Sequence, residues 1–456
     1  MTTSTSRRAF LQRASALSLA GSAAPWALNL AAMGEAAAAT AADYKALVCV
    51  FLYGGNDYGN TLVPYDNARY AAYQAMRPNL AYAQAALTPT VLTPGVALPG
   101  GIEFALAPEL SPLLPLFQAG RMGVLLNVGT LLQPTTKAQY TANAVPLPPK
   151  LFSHNDQQSV WQSSNPEGAT SGWGGRMGDL LESGNGSASF TCVNVSGNAV
   201  FLSGRQAVQY QVSTSGPVAL SASKSLFGST ACATELQRLI TAQSANLFEN
   251  EYTKVMARSL GAGAQLATAL AGGKTLATVF PSGNSLADQL KLVARMISSA
   301  NEIGAKRQVF FVSLGGFDNH DGLATIHPTL LATLADALAA FYAATVELGV
   351  PSQVTAFTAS DFGRTLTGND GSDHGWGSMH FMLGGAVNGG RYYGSAPVVA
   401  NNGPDDVGQG RLLPSTSVDQ YAATLGKWFG ISDTDLLTVL PNLVNWNTSQ
   451  RNLGFV

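Results

Sequence analysis

The sequence predicts an α/β fold, a mainly parallel sheet flanked by helices on both faces. Three observations predict it. Short, nearly uninterrupted apolar runs recur at 46–53, 122–128, 190–195, 309–314 and 354–358, as expected of strands buried on both faces. Helical patterns fall among them, around 177–182, 233–258, 285–305 and 328–347, giving the alternation that favours parallel pairing. Several runs end in turns rich in Gly, Asp and Asn, and in parallel sheets functional residues gather where strands end.

The first strand illustrates the logic. Residues 46–53 (ALVCVFLY) carry no polar alternation and stop at Gly54-Gly55-Asn56-Asp57, so they read as a central strand feeding a glycine turn. The stretches 131–150, rich in Pro and Thr, and 196–223, polar with little helical period, read as loop or hairpin insertions over the sheet. No linker divides the chain, so 43–456 is expected to form a single domain, with no later stretch reaching the 18 apolar residues of a membrane span.

Residues 1–42 read differently. Ser6-Arg7-Arg8-Ala9-Phe10-Leu11-Gln12 places paired arginines before an Ala/Leu/Ser-rich run diluted by Gly21, Ser22 and Pro25, and Ala36–Ala42 then offers small-residue cleavage sites. This is the layout of a twin-arginine (Tat) export signal. The expected partner is the Tat export machinery, with cleavage near Ala39–Ala42 and a periplasmic or secreted product. The alternative is an uncleaved leader that stays as an anchor.

Composition narrows the rest. About 415 residues remain after the leader, ample for a large core. Charged residues make up 11% of the chain against about 25% in an average domain, and a net charge of -2 supplies no long-range attraction for nucleic acid or anionic lipid. Cys49, Cys192 and Cys232 lack CxxC spacing, and the first two sit in apolar runs. They read as core residues, with one disulfide open in an oxidising compartment.

Chemistry concentrates in the histidines. Of five, His154, His320, His374 and His380 lie in or beside the contexts Ser153-His154-Asn155-Asp156, Gly315-Gly316-Phe317-Asp318-Asn319-His320-Asp321 and Asp373-His374-Gly375-Trp376-Gly377. His327, before Pro328, reads as a helix-start residue. Two further acidic turns, ending in Asp57 and containing Ser360-Asp361-Phe362-Gly363-Arg364, follow strand-like runs. Carboxylates and imidazoles converging from several strand ends suit a divalent cation. Asp318 and His320, two apart, share one side of an extended segment. Asp57 and Ser153 each have a plainer reading as turn or capping residues.

Six ordered blocks, Phe51–Asp57, Ser153–Gln158, Gly172–Gly178, Gly315–His320, Ser360–Thr365 and Asp373–Gly377, together with the leader, resemble the bacterial family called domain of unknown function 1501. That family is similar in plan to the alkaline phosphatase and sulfatase superfamily, a three-layer α/β/α fold with metal ligands at strand ends. The resemblance implies metal ligands at Asp57, Asp318, His320, Asp361 and His374. It places a nucleophile on or near Ser153, with His154 as general acid and Asn56, Asn319, Arg364 and His380 as substrate contacts. Phe362 stands where the superfamily has a histidine, so one metal position is weakened, lost, or completed by His154 or His380. The function implied is an exported metal-dependent hydrolase of small phosphate or sulfate esters using an ion of the zinc, calcium or magnesium class. The alternative is a non-catalytic binding or assembly protein with a degenerate site. No Gly-x-Ser-x-Gly elbow, phosphate loop or dinucleotide fingerprint is present.

Overall fold

Strand β1 (Lys45–Leu52) is buried from Ala46 onward because its two faces meet two different cores. Ala46, Val48, Val50 and Leu52 face one cluster, while Leu47, Cys49 and Phe51 face the other. The first core is closed by the helices Ser285–Ser298 and Leu323–Glu347, through Leu290, Val293, Leu334 and Leu338. The second is closed by Trp173–Leu181 and Val418–Phe429, through Met177, Leu181, Tyr421 and Leu425. The result is three layers, with helices on both faces of the sheet. The computed structural model describes residues 44–218 and 220–456; the leader expected at 1–42 lies outside them.

Among the described residues, β2 (Leu62–Pro64) and β3 (Phe104–Leu106) pair antiparallel in a small separate sheet, and ten strands form the main sheet. They include β4 (Met122–Gly129), β5 (Cys192–Asn194), β6 (Tyr210–Ser213), β7 (Gly216–Pro217), β8 (Arg307–Leu314), β9 (Val354–Ser360) and β10 (Ser378–Gly384), with short β11 (Tyr392–Tyr393) and β12 (Thr416–Ser417). The order is β11-β4-β10-β9-β1-β8-β5-β6-β7, and β12 also lies beside β4. β1 is parallel to both β8 and β9, β5 to β8 and β6; β10 runs antiparallel to β9 and β4. The C-terminal ends of β9, β1 and β8 therefore share one edge, and the connection from β9 into β10 turns over that same edge.

All five expected strands form. β10 was not expected, because Ser378 and His380 interrupt its apolar run. The helical pattern at 233–258 resolves into two helices, Thr230–Thr241 and Leu247–Gly272, since Asn246 caps the second through the amides of Phe248 and Glu249. The helix expected from 328 starts at Leu323, after Gly322 in the left-handed region, and Pro328 sits inside it. By length and composition alone this helix is apolar enough to cross a membrane; Leu331, Leu334, Leu338 and Phe341 lie in the core. Within 196–223, β6 and β7 extend the sheet at its far edge, while 131–150 holds one short helix, Lys137–Thr141. All three cysteines are free; Cys49 and Cys192 are buried and Cys232 is exposed.

Candidate metal centre

The turn after β1 ties the strand ends together. The Gly54 amide donates to Asp361 after β9, and its carbonyl accepts from Arg364. Its φ is +112°, and a Cβ would lie 2.4 Å from the Asp318 nitrogen, so only glycine lets the turns after β1 and β8 close together. Gly55, at φ +85°, seats the Phe362 ring: a Cβ there would meet Phe362 Cε2 at 2.6 Å.

Above this base, three imidazoles and one carboxylate converge. Asp318 Oδ1 lies 3.0 Å from His320 Nε2, 3.3 Å from His154 Nε2 and 3.5 Å from His374 Nε2. His320 and His374 face each other Nε2 to Nε2 at 3.0 Å. Behind them, His154 Nδ1 contacts Asp361 Oδ2 at 2.7 Å and His374 Nδ1 contacts the Phe152 carbonyl at 2.6 Å. His320 Nδ1 lies 3.8 Å from Asp373. Metal-binding histidines are characteristically braced in this way, one ring nitrogen inward and the other on an oxygen acceptor. His154 starts the helix His154–Ser163, whose Gln157 accepts from the Thr130 hydroxyl just after β4. Phe362, buried, packs its ring 4.8 Å from His154 and 4.9 Å from His374, forming a wall where the resemblance expected a ligand.

The electrostatics fit a cation. Burial works against a charged His154, but the hydrogen bond and charge of Asp361, with Asp318 nearby, prevail and raise its pKa. Burial lowers that of His374, the Phe152 carbonyl opposes, and the neighbouring His154 adds to the lowering. Burial pushes the Asp318 carboxyl up, yet the Arg364 hydrogen bond and the flanking histidines hold it below the usual range. His154 Nε2, shielded from solvent and 3.3 Å from a carboxylate oxygen, makes no hydrogen bond. An inward-facing orphan nitrogen beside an anionic oxygen is a position a divalent ion satisfies.

Other expected site residues lie elsewhere or are engaged. Asp57 lies outside the cluster: it is buried, caps the turn Tyr58–Asn60 through the Gly59 and Asn60 amides, and pairs with buried Arg77 at 2.9 Å. Asp361 stands behind His154, accepting from Gly54, His154 and Gln158, rather than facing the centre. The expected substrate contacts are engaged within the protein. Arg364 is buried with its nitrogens on Asp318, Gly54 and Ser372. Asn56 is held by Thr61 and His327, and Asn319 donates to the Gly316 carbonyl. His380, on β10, is buried against Trp161 and Thr358. Ser153 precedes His154 at the helix start, its hydroxyl on Asp156 at 3.0 Å. The sequence reading missed Phe152, whose φ of +74° aims its carbonyl at His374. It also missed Arg411, which lies 4.7 Å over the Phe152 ring and donates to the His374 carbonyl and Asp373. Neither carries a local sequence signal.

Fold and site together define a three-layer α/β protein with a histidine-rich candidate metal centre at the C-terminal edge of its parallel strands. The chain belongs to the DUF1501 family, described as "Protein of unknown function (DUF1501)", whose profile matches residues 44–440. Among curated proteins, none matches the sequence. Solved structures to which the chain is distantly similar include Ps i-CgsB in complex with k-i-k-neocarrahexaose, at 10% identity and TM-score 0.35, covering 89% of this chain and 77% of that one. Another is the PsFucS1 sulfatase from Pseudoalteromonas sp., at 12% and 0.34, covering 93% and 75%. A third is the C-terminal periplasmic domain of EcEptC from Escherichia coli, at 11% and 0.32, covering 86% and 84%. A likeness this distant carries no activity across.

Proposed function

We propose that this chain is an exported hydrolase of phosphate or sulfate esters that depends on a divalent metal ion. The observation that carries the reading is the convergence of His154, His320, His374 and Asp318 at the strand edge. A divalent ion held there by His154, His320, His374 and Asp318 would supply Lewis acidity for polarising an ester oxygen and easing deprotonation of an attacking hydroxyl or water. Ser153 is the candidate nucleophile, with Asp156, at 3.0 Å, placed to take its proton. The first-turn amides of the helix His154–Ser163 lack intrahelical acceptors and favour an anionic group. Export is supported by the paired Arg7 and Arg8.

One observation favours a second reading. Arg364, Asn56 and Asn319, expected to grip the ester oxygens, are buried and hydrogen-bonded internally. A binding or assembly protein that retains the fold without turnover accounts for that. The test is elemental analysis of the purified mature chain beside a panel of aryl phosphate, phosphodiester and aryl sulfate substrates. Bound metal with turnover that is lost in Ser153→Ala supports the hydrolase; no turnover with any added cation selects the binding protein.

A further inference from the structure

We propose that the centre takes one ion rather than two, and that the ion belongs to the zinc class of late first-row metals, held by Nε2 of His154, His320 and His374 and by Asp318. This rests on reading the cluster as a metal centre and goes beyond it by fixing number, donor set and metal class. The ring orientations come first. The Phe152 carbonyl can only accept, so His374 Nδ1 carries the proton and its Nε2 lone pair points inward. A neutral His154, with Nδ1 on the Asp361 carboxylate at 2.7 Å, is set the same way. Two imidazoles are thus held in the tautomer that binds metal through Nε2.

The spacing comes second. Atoms ~2.0–2.1 Å from one tetrahedral ion stand ~3.3–3.4 Å from each other. Four of the six edges of such a cluster are 3.0, 3.0, 3.3 and 3.5 Å, and His154, Asp318 and His374 offer ligand atoms within 4.8 Å of one another. A calcium ion wants about six to eight oxygens at roughly 2.4 Å, and magnesium a near-octahedral oxygen shell. Three nitrogens and one carboxylate oxygen match neither, whereas imidazole-rich sets suit zinc and its neighbours.

Among the described residues a second ion lacks donors of its own. Asp57 is engaged by Arg77 and two amides, Asp361 by Gly54, His154 and Gln158, and Phe362 offers a hydrocarbon ring seated on Gly55. His380, the other histidine weighed for this role, is buried beside Trp161. The alternative triplet His320, Asp373 and His374 shares two of the same ligands, so it competes for the one ion.

The full mature chain is stripped with chelator and equilibrated in turn with zinc, cobalt(II), magnesium and calcium, and retained metal is measured after desalting. The expected result is one equivalent of zinc or cobalt per chain and no retained magnesium or calcium. The cobalt form should show the intense visible bands of a four-coordinate site, which lacks an inversion centre. His374→Gln and His320→Gln should each weaken zinc binding by at least about a hundredfold, with circular dichroism confirming that the variants fold. Should either prove unfolded, the wild-type stoichiometry and the cobalt spectrum decide alone. Two equivalents, preferential calcium or magnesium retention, or a weak six-coordinate cobalt spectrum would overturn the assignment while leaving a metal centre in place. Retention of no ion would overturn both.

Discussion

Replacing Asp361 with asparagine probes the brace behind the centre without touching a metal donor. Asp361 is buried, and its carboxylate accepts from the Gly54 amide, from Gln158 Nε2 at 2.8 Å and from His154 Nδ1 at 2.7 Å. An asparagine keeps the shape but has one acceptor oxygen, so one of these donors meets an NH2 group instead. His154 also loses the anion that fixes its tautomer and raises its basicity. Loss of such a carboxylate brace typically costs ~10–100-fold in metal affinity, equivalent to ~1.4–2.7 kcal/mol. A second effect runs the other way: without the Asp361 charge His154 binds its proton less tightly, so proton competition at low pH weakens. The two separate by pH. Competition titration of the stripped chain against a chromophoric chelator should show the larger loss at about pH 8 and a smaller loss at about pH 6. Gln158→Ala removes another partner of the same carboxylate and leaves the ring contact intact, so it should change affinity only a few-fold. A folded Asp361→Asn variant with wild-type affinity at about pH 8 would show that Asp361 does not orient a ligand.

Asp57→Ala should behave in the opposite sense, leaving metal stoichiometry unchanged while lowering stability by ~3–5 kcal/mol, the usual cost of stranding a buried partner such as Arg77. Thermal melts with elemental analysis check it, and loss of the ion without loss of stability would return Asp57 to the ligand set. Acid should destabilise the fold through two histidines outside the centre. Burial depresses His327 to about 4 and His380 to about 3, so between these values and the unfolded value of ~6.5 the unfolded chain binds protons that the native chain does not. Stability is therefore highest above pH ~6.5 and falls as pH drops, by ~1.4 kcal/mol per unit for each histidine, or ~3 kcal/mol each by pH ~4. His380→Gln, measured by denaturant unfolding across this range, should flatten the slope; an unaltered slope would place the acid sensitivity elsewhere.

The strand plan was legible because a strand buried on both faces must be mostly apolar, as Ala46–Leu52 of β1 and Val309–Val312 of β8 are, and as β9 is apart from the small Thr355, Thr358 and Ser360. β10 escaped notice because His380 and Ser378 lie within it; the ring is accommodated by Thr358 and the edge of Trp161, neither of which sequence can place. Three of the four converging donors, Asp318, His320 and His374, were legible as metal candidates from their turns. His154 was read mainly as an acid, since its role depends on where the chain after β4 returns over the sheet edge. The supports were not legible at all. A carbonyl aimed by the left-handed backbone of Phe152 and a guanidinium over its ring have no local sequence signature.

Asp57 and Asp318 show where local reading stops. Both occupy the last position of a Gly-Gly-x-Asp turn, Gly54–Asp57 after β1 and Gly315–Asp318 after its neighbour β8. Each has a buried arginine, Arg77 at 2.9 Å and Arg364 at 2.8 Å. Their fates diverge in the residues immediately C-terminal to each acid. Tyr58–Asn60 curls into a helical turn whose amides take one Asp57 oxygen while Arg77 takes the other, so that carboxylate closes inward and is about 1% exposed. After Asp318 the chain runs to His320 without such a turn, and Arg364 holds Oδ1 from beneath while three imidazoles approach the same oxygen. The side chain stays 48% exposed, and a carboxylate that is anchored yet open is what an exchangeable ion requires. The difference between capping residue and candidate ligand is thus set by the next three residues and by Arg77, 20 positions downstream, and not by the turn motif the two acids share.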